Sequence, residues 1–297
     1  MSEQNVEPQK GITVFGVIKG ILGFIQNYFK SLIFILILFV IFIAPNLSST
    51  QESANLVRID LSGVIMESDT LVRDIQNAFE SDNIKGVLFV VNSPGGAVSP
   101  SLEISMALKR LAEKKPVVAY AAGSMASGSY YASIHATHII ANPGSMIGSI
   151  GVIMQSPNIE ELAKKVGISE QVVSAGDYKQ AGTIMRQWTP KERESLQELI
   201  DDIYELFVDD IVKARGLDKA KASEFANARV FIASKAQKAG LIDAVGSIQD
   251  AQDALLKLSN VTEPSWQEPD LIEKFSKRFA VEMRSQISTL FYGIGAY

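Results

Sequence analysis

Two serines, one lysine and a few glycines carry the chemistry this sequence can offer. Gly123 to Ser133 reads GSMASGSYYAS, directly after the apolar, β-type run Val117-Val118-Ala119-Tyr120-Ala121. The segment from Ala126 onward is compatible with a helix. A strand, a tight turn of small residues and a helix expose one side chain at the turn. Behind it lie the unpaired first N–H groups of the helix and the positive end of its dipole. Ser127 takes that place, and Gly128 lets another group approach the backbone closely. The pattern suits a hydroxyl that attacks a carbonyl, although a helix-packing motif of small residues would read the same way.

A nucleophilic hydroxyl needs a base. The only two histidines are His135 and His138. On a helix His135 lies about two turns beyond Ser127, too far to take its proton. As metal ligands the pair lacks a third partner. Both read as structural or surface residues, and neither a metal nor a cofactor is expected. The other candidate base is Lys179, in Ser174-Ala175-Gly176-Asp177-Tyr178-Lys179, after a predicted strand at Gln171 to Ser174. Strand ends are where α/β sheets place their sites. A lysine serves as base only where burial or neighbours pull its pKa from about 10.4 toward neutrality. Most lysines are solvated, and taken alone this one reads so.

Two loops complete the set. Asn92-Ser93-Pro94-Gly95-Gly96-Ala97-Val98 follows a buried-strand pattern, and paired glycines there free backbone N–H groups to face a ligand. With the N–H of Gly128 they could form an oxyanion hole, though Pro-Gly-Gly suits a plain turn equally well. Ser149 lies in Asn142-Pro143-Gly144-Ser145-Met146-Ile147-Gly148-Ser149-Ile150-Gly151-Val152. Its hydroxyl could hold a neutral lysine amine; by itself it is a loop serine.

Positioning these groups falls to alternating elements from Val57 to about Leu258. Strands are expected at 56–61, 86–91, 117–121, 138–141, 150–154 and 171–174. Helices are expected at 70–79, 100–112, from 126, at 158–165, and from Pro190 to about Arg215, with Pro190 at the first helical position. Such alternation predicts an α/β domain with mostly parallel strands. Asp270 to Phe291 carries apolar residues near helical spacing and reads as a docking helix.

The N-terminal region has a different character. Ser31 to Pro45 reads SLIFILILFVIFIAP, with Lys10, Lys19 and Lys30 before it and the next basic residue at Arg58. This asymmetry puts the N-terminus in the cytoplasm by the positive-inside rule. The run is short for a full span and would also suit a signal-peptide core. A long preceding region and the absence of an A-x-A-like site favour a retained single-pass anchor over that core, and over a buried core helix. Gly11 to Phe29 could extend it or lie along the inner membrane face. The expected organisation is a cytoplasmic or interfacial segment 1–30, an anchor 31–46, a linker 47–55, a catalytic domain 56–258 and a helical tail 259–297. A net charge of −5 without a basic cluster argues against nucleic acid as a partner, and the absence of cysteine excludes disulfides.

In order and spacing, Asn-Ser-Pro-Gly-Gly, Ala-Ser-Gly-x-Tyr-Tyr, Ala-Asn-Pro-x-x-x-x-Gly-Ser-Ile-Gly-Val and Gly-x-Tyr-Lys resemble the bacterial signal peptide peptidases of the serine–lysine type (protease IV), in their short, single-domain form. A later echo is Arg229-Val230-Phe231 with Ala236-Gln237-Lys238-Ala239-Gly240-Leu241-Ile242-Asp243. The resemblance spans about Leu56 to Gly246. It implies a Clp-protease/crotonase-like fold, a repeated β-β-α superhelix, with Ser127 as nucleophile and Lys179 as general base. It also implies oxyanion donors from Gly96 and Gly128, and Ser149 orienting the lysine. Substrates would be remnant signal peptides and other apolar peptides, met at the extracytoplasmic face of the inner membrane. Longer members share the site between two related halves, so a short chain is expected to form a homo-oligomeric ring with sites between protomers. Ser129 and Ala228 stand where the family often has glycine. Other readings are an acyl-CoA enzyme on the same fold and a non-catalytic membrane scaffold.

Overall fold

The computed structural model describes residues 14–42 and 54–267. The first helix, α1 (Val14–Phe42), is continuous over 29 residues, through Lys19, Gln26 and Asn27, so no break separates the expected interfacial segment from the anchor. Its described side chains span 23–39, with Phe34, Ile35 and Leu36 exposed. Among the described residues no helix is long and apolar enough to cross a membrane. Residues 43–46 of the expected anchor, the linker up to Ser53 and the expected helix at 270–291 lie outside the described residues.

The remaining described residues form a separate compact unit. Along it run β1 (Leu56–Ser62), α2 (Asp69–Glu80), β2 (Gly86–Ser93), α3 (Val98–Lys114), β3 (Val117–Ala126), α4 (Gly128–Ser133), β4 (His138–Ala141) and β5 (Met146–Gly148). Then follow α5 (Glu160–Lys165), α6 (Pro190–Arg215), α7 (Ala222–Phe225), β6 (Val230–Ile232), α8 (Ala233–Lys238), β7 (Ala244–Val245) and α9 (Ile248–Ser259). The sheet order is β1-β2-β3-β4-β7, all parallel. β3 changes partner along its length: Val118 to Ala121 pair with β4, and Ser124 to Ala126 pair with β5, which runs antiparallel to β6.

Both faces of the sheet are covered, as a parallel sheet requires. On β2, Val87, Phe89 and Val91 point into the main core, which also holds Ile104 and Leu108 of α3, Tyr130 of α4 and Phe207 and Ile211 of α6. Leu88 and Val90 point the other way, against Ala251 and Leu255 of α9. Helix α6 starts where its sequence directs. Thr189 caps it, its side chain accepting from the Glu192 N–H while the Glu192 carboxylate accepts from the Thr189 N–H, and Pro190 follows. Gly216, in the left-handed conformation with φ 63°, ends it.

Two expected strands do not form. Residues 150–154 and 171–174 have β-type composition but, among the described residues, no neighbouring strand to pair with, and Val173 is fully exposed. Strand propensity needs packing and a ladder to act on. Residues beyond α9 instead return to the sheet edge: Gln267 N–H donates to Leu56 O at 2.8 Å, beside a parallel bridge between Leu56 and Trp266.

Candidate active site

β3 ends at Ala126, and the chain turns sharply through Ser127, with φ 52° and ψ −125°, before α4 begins. This is a sparsely populated conformation for a non-glycine residue, costing about 1–3 kcal/mol. Two backbone hydrogen bonds hold it: Ser127 N–H donates to Gly148 O at 2.7 Å, and Tyr131 N–H donates to Ser127 O at 3.0 Å. The adjacent buried hydroxyl of Ser129 accepts from Ala126 N–H at 2.8 Å and donates to Ser93 O at 2.7 Å. It thereby ties the serine turn to the glycine loop after β2.

That loop fits under the turn only because it lacks side chains. A Cβ on Gly95 (φ 95°) would come within 2.7 Å of Gly128 N and 2.9 Å of Ser127 Cβ. A Cβ on Gly96 would lie 2.0 Å from Ile65 O, because Ile65 N–H donates to Gly95 O and Ala97 N–H donates to Ile65 O on either side. One on Gly128 would meet Ser101 Oγ at 2.3 Å and Gly96 N at 3.3 Å. Gly96, Ser127 and Gly128 therefore converge, with little room between their backbones.

They line an open cleft, whose apolar walls include Leu102, Tyr131, Leu206 and Phe207. The Tyr131 hydroxyl donates to Asp210 Oδ2 at 2.5 Å. Burial, then this bond, pushes the Tyr131 pKa upward, so the phenol stays protonated. The cleft offers an apolar lining, a hydroxyl and close backbone amides, which together suit attack on a carbonyl in an extended apolar chain.

Ser149 sits one residue past the carbonyl that receives the Ser127 N–H. It is itself left-handed (φ 50°), and its N–H donates to Arg229 O at 2.9 Å. Lys179 stands apart. It is exposed in a segment without regular structure and is not among the residues lining the cleft. Among the described residues no hydrogen bond joins its amine to Ser127 or Ser149. His135 is half-buried, and burial, then Lys109, lowers its pKa. His138 approaches Asp243, which pairs with Arg215 at 2.6 Å. Neither histidine lines the cleft. Sequence reasoning took Gly95 only as half of a glycine pair and Ser129 only as a departure from the family, and passed over the hydroxyl of Ser101. Gly95 had a signal, its place in the glycine pair; the two serines had none, since only packing brings them against the turn.

A family model described as Peptidase family S49 matches residues 109–262, just over half of the chain. A protein of Synechocystis sp. that carries a protease name is 37% identical over 75% of this chain and 81% of its own length. Another with a protease name, from Methanocaldococcus jannaschii, is 40% identical over 62% of this chain; the match spans 60% of that relative. Protease 4 of Haemophilus influenzae is 31% identical over 65% of this chain and 31% of its own length.

Proposed function

Since the chain belongs to peptidase family S49 and is a serine protease, we propose that it is a membrane-anchored endopeptidase. It cleaves remnant signal peptides and other apolar peptides with Ser127 as nucleophile and Lys179 as base. The fold proposed with this is Clp-protease/crotonase-like. The observation that carries the reading is the strained Ser127 turn at the floor of an apolar cleft, flanked by the Gly96 and Gly128 amides. An extended peptide lies across the turn. Neutral Lys179 takes the hydroxyl proton as Ser127 Oγ bonds to the scissile carbonyl carbon. The oxyanion is held by the two amides. Collapse expels the leaving amine, which receives the proton from Lys179, and water, deprotonated by the same lysine, releases the acyl group.

The position of Lys179 outside the cleft of its own chain supports a site shared between protomers. Val172, Val173 and Tyr178 around it are exposed, as expected of a surface that a second copy covers. Covering it would also shelter the amine from water, which favours the neutral form. What supports the anchor is the charge-free run Ser31 to Pro45 with Lys10, Lys19 and Lys30 before it. The lysine asymmetry supports a catalytic domain on the extracytoplasmic side.

The test is mass spectrometry of a synthetic signal peptide incubated with the detergent-solubilised full chain and with its Ser127→Ala variant. Internal cleavage by the first and none by the second is expected. Equal cleavage by both would remove Ser127 from the mechanism.

A further inference from the structure

Lys179 needs a fixed position, yet the segment that carries it has little core of its own. What braces that segment is a charged group with a buried partner. Arg186 donates from Nη1 and Nη2 to the two carboxylate oxygens of Glu192, at 2.8 and 2.7 Å. Its Nη2 also reaches Gln180 Oε1 at 3.3 Å. Gln180 is the residue directly after Lys179, and its carbonyl accepts from Thr183 N–H at 3.0 Å to close the turn. Glu192, with a side chain only 4% exposed, lies in the first turn of α6. Further along, the same helix contributes Leu206 and Phe207 to the cleft wall. The guanidinium thus fastens the lysine's own turn to the start of α6 in the same chain, a rigid support from which the lysine can face the nucleophile of a neighbouring copy. A capping box requires only Thr189 and Glu192; the bonds from Arg186 are additional to it.

We propose that the Arg186–Glu192 pair is a clasp that positions Lys179 for the peptidase reaction, by fastening Gln180 to the first turn of α6. The proposal rests on Lys179 being the base. Two parallel N–H···O bonds fix an angle as well as a distance, and a lysine at 186 would keep the charge while losing that planar fork. Arg186 is a positioning residue, and its loss should appear in turnover rather than in peptide binding.

The experiment compares kcat and KM of the full chain in detergent on a fluorogenic apolar peptide for Arg186→Lys, Gln180→Ala, Thr189→Ala and Lys179→Ala, with melting temperatures for each. Arg186→Lys should lower kcat roughly tenfold to a hundredfold, as for loss of an orienting charge-assisted bond, with KM nearly unchanged. Thr189→Ala weakens the helix cap but leaves the clasp, so kcat should stay within about twofold despite a lower melting temperature. Undiminished kcat in Arg186→Lys, or an equal kcat loss in Thr189→Ala, would overturn the clasp. If Arg186→Lys does not fold, Gln180→Ala decides: a several-fold fall in kcat supports the clasp and an unchanged kcat overturns it. The underlying reading fails separately, if Lys179→Ala turns over like the unaltered chain; the clasp then has no base to position and is overturned with it.

Discussion

Ser127, Ser149 and Ala228 share the left-handed backbone, with φ of 52°, 50° and 48°. Hydrogen bonds stitch them together: Ser127 N–H to Gly148 O, Ser149 N–H to Arg229 O, and Ala228 N–H to Ile150 O. Such strain persists only where the surroundings over-determine it. It also explains why glycine suits position 228. The glycines of the site are constrained more severely. Gly128→Ala would drive its methyl into Ser101 Oγ, a 2.3 Å approach, so at least a tenfold loss of kcat is expected, read on the fluorogenic peptide. Full activity would mean that Ser101 yields to the added methyl without displacing the Ser127 turn. Lys179→Arg should be nearly inactive although the charge is kept, because a guanidinium stays protonated. Substantial turnover at neutral pH would exclude Lys179 as base. Ser149→Ala should lose roughly tenfold to a hundredfold in kcat, as for one orienting hydrogen bond.

At the scale of elements, β3 and α6 position the site. β3 pairs with β4 and then with β5, and that second pairing brings Gly148 to the Ser127 N–H. α6 is fastened at its start by Glu192, whose carboxyl is held at about 2, well below its ordinary 4.5, first by the Arg186 guanidinium and then by the Thr189 N–H. A depressed folded-state pKa means that the stabilisation is complete above about pH 4.5 and fades as the pH falls toward 2. Thermal melts of the chain and of Glu192→Gln should therefore differ by a constant amount from pH 7 down to about 4.5 and converge below. A difference that vanished above pH 5 would contradict the ion pair.

At the scale of the whole molecule, one chain presents Ser127 in a cleft and Lys179 on an exposed segment outside it. A head-to-tail contact that closes into a ring would unite them. Ser127→Ala and Lys179→Ala proteins, each inactive, should regain activity when unfolded and reassembled together. Random equal mixing would leave roughly a quarter of interfaces with an intact pair. No recovery in mixed rings verified by native mass spectrometry would mean that each subunit holds a complete dyad. The topology is tested by reporter fusions: one active only outside the cytoplasm should work after Leu258 and fail at Lys10. The reverse pattern would remove the signal-peptide role.

The sequence by itself determined the alternating architecture, the buried strand at 86–91, the start and end of the long helix at Pro190 and Arg215, and the turn at Ser127. These are local: an apolar run, a capping box with proline, or a cluster of small residues after a strand acts over a few positions. Only the tertiary structure decided the rest. Residues 150–154 and 171–174 have strand composition but remain irregular, because a strand exists by pairing and, among the described residues, no ladder extends along them beyond the single bond from Ala228 N–H to Ile150 O. Gly95, Ser101 and Ser129 gained their meaning from chain segments folded against the turn. Arg186 reads as an ordinary surface arginine until α6 presents a buried carboxylate to it. The separation of Lys179 from Ser127 within one chain was expected only through the family resemblance, since motif order and spacing by themselves carry no information about which copy of the chain a side chain will face.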